Sequence, residues 1–158
     1  MVVWTDEAEQ AFRSLIGYLT KRPILCLPDW KSQFIIRTDA SAEGLGCVVM
    51  QSHGDTKFPV AYASRKLLPR EKRYSTIERE GLAIVWAVQK FQCYLYGSEF
   101  VLDTDHSLLT YMNQAKVTNP RVMRWVLALQ PYRFRIQYVK GSENIGSDFL
   151  RRSEYSCT

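Results

Sequence analysis

Between Tyr74 and Leu95 the chain reads YSTIEREGLAIVWAVQKFQCYL. At roughly 100° per residue, Ile77, Ile84, Val88, Phe91 and Leu95 fall on one stripe, the face an amphipathic helix turns to its core. Gly97 supplies a stop signal just beyond it. Glu80 lies on the edge of the stripe, whereas Glu71, Glu78, Arg79 and Lys90 project away from it. Burying a lone carboxylate is costly unless something compensates it, so Glu80 requires a cationic partner inside the protein. Glu78, two residues earlier, reads as a surface residue.

The segments around this helix restrict the architecture further. Thr5 is a candidate N-cap for a helix carrying Ala8, Phe12, Leu15 and Leu19 and ending near Lys21. Pro23 and Pro28 then hold ILCLPDW extended, a tether along the surface. From Gln33 the texture changes to FIIRTDAS, GLGCVVMQ and FPVAYASRKL, three β-rich runs separated by Ala42–Gly44 and Ser52–Lys57. After the long helix come a strand, EFVLDTDH, then helical pieces SLLTYMN and PRVMRWVLALQ divided at Thr118–Pro120, and a fifth strand, YRFRIQYV. Ser142–Arg152 turns through a glycine-bearing loop into a short terminal helix. A three-stranded meander followed by strands alternating with helices implies an α/β fold, with a five-stranded mixed sheet antiparallel at one side and parallel at the other.

A chain of 158 residues, 46% hydrophobic and 23% charged, has the size and composition of one globular domain. Its net charge of +5 suits a polyanionic partner. Cys26, Cys47, Cys93 and Cys157 show no CxxC pair and no Cys–His spacing for zinc, which makes reduced, structural thiols the expectation. No apolar run approaches the ~20 residues of a membrane span, and no signal-peptide pattern opens the chain. The expected setting is intracellular, in cytoplasm or nucleus, with no membrane partner. The chain also reads as a segment of a longer polypeptide.

Several acids stand at element ends. Asp39 closes the first strand, where it either caps the following turn or projects into a site. Asp103 and Asp105 close the fourth strand and, two apart, share a face, so periodicity does not choose between them. Asp148 opens the terminal helix, where the helix dipole alone favours an acid. With the first and fourth strands adjacent, these carboxylates and Glu80 converge at one edge of the sheet. Carboxylates so crowded repel unless cations neutralise them, and hard oxygen ligands without His or Cys favour Mg²⁺ or Mn²⁺. Two such ions ~3.5–4 Å apart clamp the attacking and leaving oxygens of a phosphodiester, which points to hydrolysis.

Taken in order, TDAS with GLG, YSTIEREGLAIVWAV, TDHSLL and GSENIGSDFLRR resemble the ribonuclease H domain of Gypsy-type LTR retrotransposon polyproteins. The resemblance runs from Trp4 to Arg152. Within it, WTDEAEQAF and RPILCLPDW are similar to the segment joining reverse transcriptase to its ribonuclease H. It implies a ribonuclease H-like fold over 32–153, preceded by a helix and connecting segment at 1–31 and followed by a tail at 154–158. It also implies four catalytic, metal-binding acids: Asp39 in TDAS, Glu80 in the RE-small-LA pattern, Asp105 in TDH, and Asp148 in SDFL, where such elements commonly show ADxL. Glu80 is thereby preferred over Glu78, and Asp105 over Asp103.

The implied activity is metal-dependent cleavage of the RNA strand of an RNA–DNA hybrid with two Mg²⁺ or Mn²⁺ ions, leaving a 3′-hydroxyl and a 5′-phosphate. A reverse transcriptase module is the implied covalent partner, in a retroelement or its particle, or in a host protein descended from one. Two features depart from the pattern. The loop YVKGSENIGS lacks the histidine that many ribonucleases H carry before the last acid, and the only histidines are His53 and His106. Gly81 costs ~1 kcal/mol relative to alanine within a helix. For nucleic-acid contact the candidates are Arg65, Lys66, Arg70, Lys72 and Arg73, then His106, Arg121 and Arg124; a solvated charged surface is the alternative. Trp86 and Trp125 read as packing residues. The competing reading of the whole chain is a catalytically inactive binding domain on the same fold.

Overall fold

The computed structural model describes residues 4–20, 25–54, 56–104 and 106–138. Helix α1 spans Asp6–Thr20. Its first turn is capped by Thr5, whose Oγ1 accepts the Ala8 N–H at 3.2 Å. The connecting segment is tied down as expected of a tether. Cys26 N–H donates to the Pro59 carbonyl at 2.9 Å, and the buried Gln51 amide holds the following turn. Its Oε1 accepts from Asp29 N–H at 2.9 Å, and its Nε2 donates to the carbonyls of Asp29 and Ser32 at 2.7 and 2.9 Å. A buried amide with both donors used is stabilising rather than costly.

Strands β1 (Phe34–Ala40), β2 (Gly44–His53) and β3 (Thr56–Lys66) form an antiparallel meander, while β4 (Glu99–Thr104) and β5 (Arg133–Tyr138) add in parallel. The order is β3-β2-β1-β4-β5, so β1 is central. Pleating divides its residues between two faces. Phe34 and Ile36 join Phe100 and Leu102 in the main core, whereas Ile35 joins Val48 and Met50, with Val101 against them, in a second cluster. The apolar runs of β1 and β2 are nearly continuous because both faces are covered.

Helix α2 (Thr76–Lys90) lays Ile84, Val85 and Val88 into the main core. Helices α4 (His106–Ala115) and α5 (Pro120–Leu129) follow β4. Asn119 caps α5, with Pro120 in the first turn, and Val122, Trp125 and Leu129 complete the same core.

The single helix expected over Tyr74–Leu95 is divided. It begins after Ser75, leaves helical geometry at Phe91 (φ −106°, ψ 22°) and resumes as the four-residue α3 (Gln92–Leu95). Glu71, expected to project away from the core, is buried in a 3₁₀ turn (Glu71–Arg73) before the helix. The expected turns also shrink. Gly44 is the first residue of β2, and the β2–β3 pairing extends to His53 and Thr56, around Gly54 at φ +62°. The terminal helix expected over Ser142–Arg152 lies outside the described residues.

Candidate active site

The C-terminal end of β1 is a braced corner. The turn after Ala40 closes with Ser41 N–H donating to Gly44 O at 2.8 Å. Ser41 Oγ accepts from the backbone N–H groups of Glu43 and Gly44 at 3.1 and 2.9 Å. Such hydroxyl-to-backbone bonds hold a tight turn in one shape. Asp39 lies two residues before Ser41, half-buried, with Oδ1 accepting the N–H of Ala40 at 2.9 Å.

Helix α2 arrives at the same corner. Arg79 Nη1 donates to the Ser41 carbonyl at 2.9 Å, fixing the second turn of the helix against the end of β1. Below this bond, Ala40 and Ala83 share a small buried cluster with Leu45 and Leu67. Glu80 is three residues before Ala83 and four before the fully buried Ile84, so it rises one turn above that contact, on the sheet-facing side. It is half-buried. Asp39, adjacent to Ala40, and Glu80, one turn from Ala83, therefore stand at one end of one strand–helix contact.

The other acids have different surroundings. Glu78 is not the surface residue the helical stripe suggested: its side chain is 13% exposed. It forms a capping box with Ser75, accepting that residue's N–H at 3.0 Å while Ser75 Oγ accepts the Glu78 N–H at 3.3 Å. Its other oxygen accepts from Asn119 Nδ2 at 3.2 Å and lies 3.5 Å from Arg121. Burial opposes ionisation of Glu78, but the Ser75 N–H and Arg121 outweigh it and hold the carboxyl below the usual glutamate range.

Asp103 is fully buried, with Oδ2 2.9 Å from Arg37 and 3.3 Å from Lys57. It is a charge-paired interior residue linking three strands. Asp105 and Asp148 lie outside the described residues. Among the described residues, no group of three His, Cys, Asp or Glu side chains is placed to hold a metal ion. Asp39 and Glu80 supply hard carboxylate oxygens, the donor type that Mg²⁺ and Mn²⁺ accept.

The basic residues divide into two sets. Arg65 bonds both oxygens of Glu71, at 2.6 and 3.1 Å, and lies over the Trp86 ring; Lys72 pairs with Glu43. Arg121 stacks on Tyr74 at 3.9 Å, in addition to facing Glu78. Lys66, Arg70, Arg73 and Arg124 are exposed. His106 begins α4, and its side chain is outside the described set. Trp125 is buried and Trp86 half-buried, as packing residues should be. Arg79, which was not singled out as a site residue, is the one that joins helix to turn. Its spacing from Ser41 across 38 residues carries no local signal.

The sheet order, with helices packed on a mixed sheet whose middle strand ends at the acidic corner, defines a ribonuclease H-like α/β fold. A family model described as an RNase H-like domain found in reverse transcriptase matches residues 29–132. The Pol polyprotein of transposon 412 from Drosophila melanogaster is 40% identical over 94% of this chain, and that of transposon gypsy is 39% identical over 96%. The chain spans only 12% and 14% of those two polyproteins.

Among solved structures, a prototype foamy virus protease-reverse transcriptase superimposes with a TM-score of 0.69 at 17% identity, over 88% of this chain and 19% of that one. A foamy viral protease-reverse transcriptase in complex with RNA/DNA hybrid gives 0.60 at 18% identity, over 99% and 21%. Ribonuclease H1 of Halobacterium salinarum gives 0.56 at 16% identity, over 75% and 93%. The chain belongs to the family of RNase H-like domains of reverse transcriptases, and its relatives are retrotransposon Pol polyproteins.

Proposed function

We propose that this domain hydrolyses the RNA strand of RNA–DNA hybrids as the ribonuclease H of a retroelement reverse transcriptase. The observation that carries the reading is the corner itself. Asp39 and Glu80, acids on different elements, are held at one end of the β1–α2 contact, while Glu78 and Asp103 are engaged elsewhere. In this proposal Asp39, Glu80, Asp105 and Asp148 hold two divalent cations, Mg²⁺ or Mn²⁺. Asp105 is assigned over Asp103 because Asp103 is enclosed by Arg37 and Lys57.

When bound, the cations supply a polarised water and compensate the charge on the attacking and leaving oxygens. The protein's own residues orient the site. Asp39 is fixed by the braced turn, and Glu80 by a helix anchored in the core. Water adds to phosphorus and the bond to the 3′-oxygen breaks, leaving a 3′-hydroxyl and a 5′-phosphate. Lys66, Arg70, Arg73 and Arg124 are exposed and available to neutralise phosphates, which would make binding weaken as salt rises.

The test is cleavage of an end-labelled RNA–DNA hybrid by the 158-residue chain with Mg²⁺ or Mn²⁺. The expected result is metal-dependent cutting of the RNA strand alone, falling at least about 100-fold in Asp39→Asn. No cutting by a folded wild type with either ion would leave the reading of a catalytically inactive nucleic-acid- or protein-binding domain on this fold.

A further inference from the structure

We infer that Arg79 is a positioning residue that sets the separation of Asp39 and Glu80 and thereby the affinity of the corner for divalent cations; this rests on the metal-site reading above. The bond it makes is unusual in its economy. The guanidinium donates through Nη1 to the Ser41 carbonyl at 2.9 Å and through Nη2 to Thr76 Oγ1 at 3.3 Å. The first joins the helix to the turn after β1, and the second stiffens the arginine against its own helix. Its Nε is buried and has no hydrogen-bond partner. Among the described residues no carboxylate forms an ion pair with it, whereas Arg37, Arg65 and Arg121 each have one.

A half-buried arginine with an unsatisfied nitrogen and no paired acid is poorly explained as a device for stability alone. Its position gives the explanation. Arg79 is the residue next to Glu80, and Ser41 is two residues from Asp39. One path from acid to acid therefore runs through this side-chain bond and two short stretches of backbone. Ser41 is itself immobilised by the turn bonds from Glu43 and Gly44, so Arg79 grips a rigid point. The main core holds Ile84, Val85 and Val88 beyond Glu80 and has Ile77 packed against it before Glu80, so Arg79 adds to that anchor the direct hydrogen bond to the turn that follows Asp39. Without Arg79, the first turns of α2 are held at this corner by fewer contacts, and the two carboxylates lose their fixed spacing. Residues that orient metal ligands from behind typically change metal affinity by about 10–100-fold when replaced.

The experiment compares the full chain with Arg79→Met, which keeps most of the apolar stem and removes the donors, and Arg79→Lys, which keeps the charge and one donor group. Mn²⁺ binding is measured without substrate by electron paramagnetic resonance titration, beside Mg²⁺-dependent hybrid cleavage and thermal melting. The expected result for Arg79→Met is Mn²⁺ affinity weakened by about 10-fold or more, with the Mg²⁺ midpoint of cleavage raised in parallel. Its cleavage rate at saturating Mg²⁺ stays within about threefold of wild type, and Arg79→Lys recovers part of the affinity. Unchanged Mn²⁺ affinity in folded Arg79→Met overturns the inference, and so does a loss of affinity matched by loss of the folded state in both variants. If Asp39→Asn and Glu80→Gln also bind Mn²⁺ like wild type, the metal-site reading has failed rather than the role of Arg79.

Discussion

Glu71 illustrates how this protein compensates an inward carboxylate. Burial pushes its pKa up, but two bonds from Arg65 and one from the Leu68 N–H outweigh burial and hold it below the usual glutamate range. A carboxyl whose folded pKa is depressed contributes stability above its unfolded value and loses it as pH falls through the folded value. Replacing Glu71 by Gln should therefore cost about 1–3 kcal/mol at pH 7, and the gap from wild type should narrow below about pH 4.5. Urea unfolding at pH 7 and at pH 3.5 checks this; an equal gap at both would exclude the charge as the cause. Asp103 is likewise ion-paired with Arg37, and Glu78 with Arg121. Each of these acids is bound to a cation from another element or turn, which no single-residue property announces.

At the scale of elements, α2 depends on its first turn as much as on its apolar stripe. Ser75→Ala removes the acceptor for the Glu78 N–H and should destabilise the protein by about 1 kcal/mol, read from the urea midpoint. Glu78→Gln should cost less than losing the cap, because an amide keeps the acceptor oxygen and the reach to Asn119. The element order and both pairing modes were legible from the alternation of β-rich runs and helices, since each run had to cover an apolar face, whereas the strand order β3-β2-β1-β4-β5 needs the fold itself. The break at Phe91 was not, because Val88 and Leu95 stay buried on either side of it, as does Phe91 itself, and the stripe continues across. The β2–β3 hairpin looked shorter than it is because Ser52, His53, Thr56 and Lys57 extend beyond the core as exposed, polar strand residues. Glu80 was legible from the stripe, but Glu78 was misplaced. Its partners Asn119 and Arg121 come from α5, and helical periodicity reports only the helix's own faces.

As a whole molecule the chain is an RNase H-like domain whose relatives are far longer polyproteins, and its candidate chemistry lies at one corner. Two glutamates stand two residues apart on α2, both half-buried, yet the fold gives them different work. Glu78 joins α2 to its cap and to α5, while Glu80 stands at the same end of the β1–α2 contact as Asp39. The direct measurement is hybrid cleavage by Glu80→Gln and Glu78→Gln side by side, with melting temperatures recorded for both. Glu80→Gln should retain its fold and lose at least about 100-fold in cleavage, whereas Glu78→Gln should melt earlier and cleave within about threefold of wild type below its melting range. Undiminished cleavage by Glu80→Gln, or loss of cleavage confined to Glu78→Gln, would contradict this division of roles.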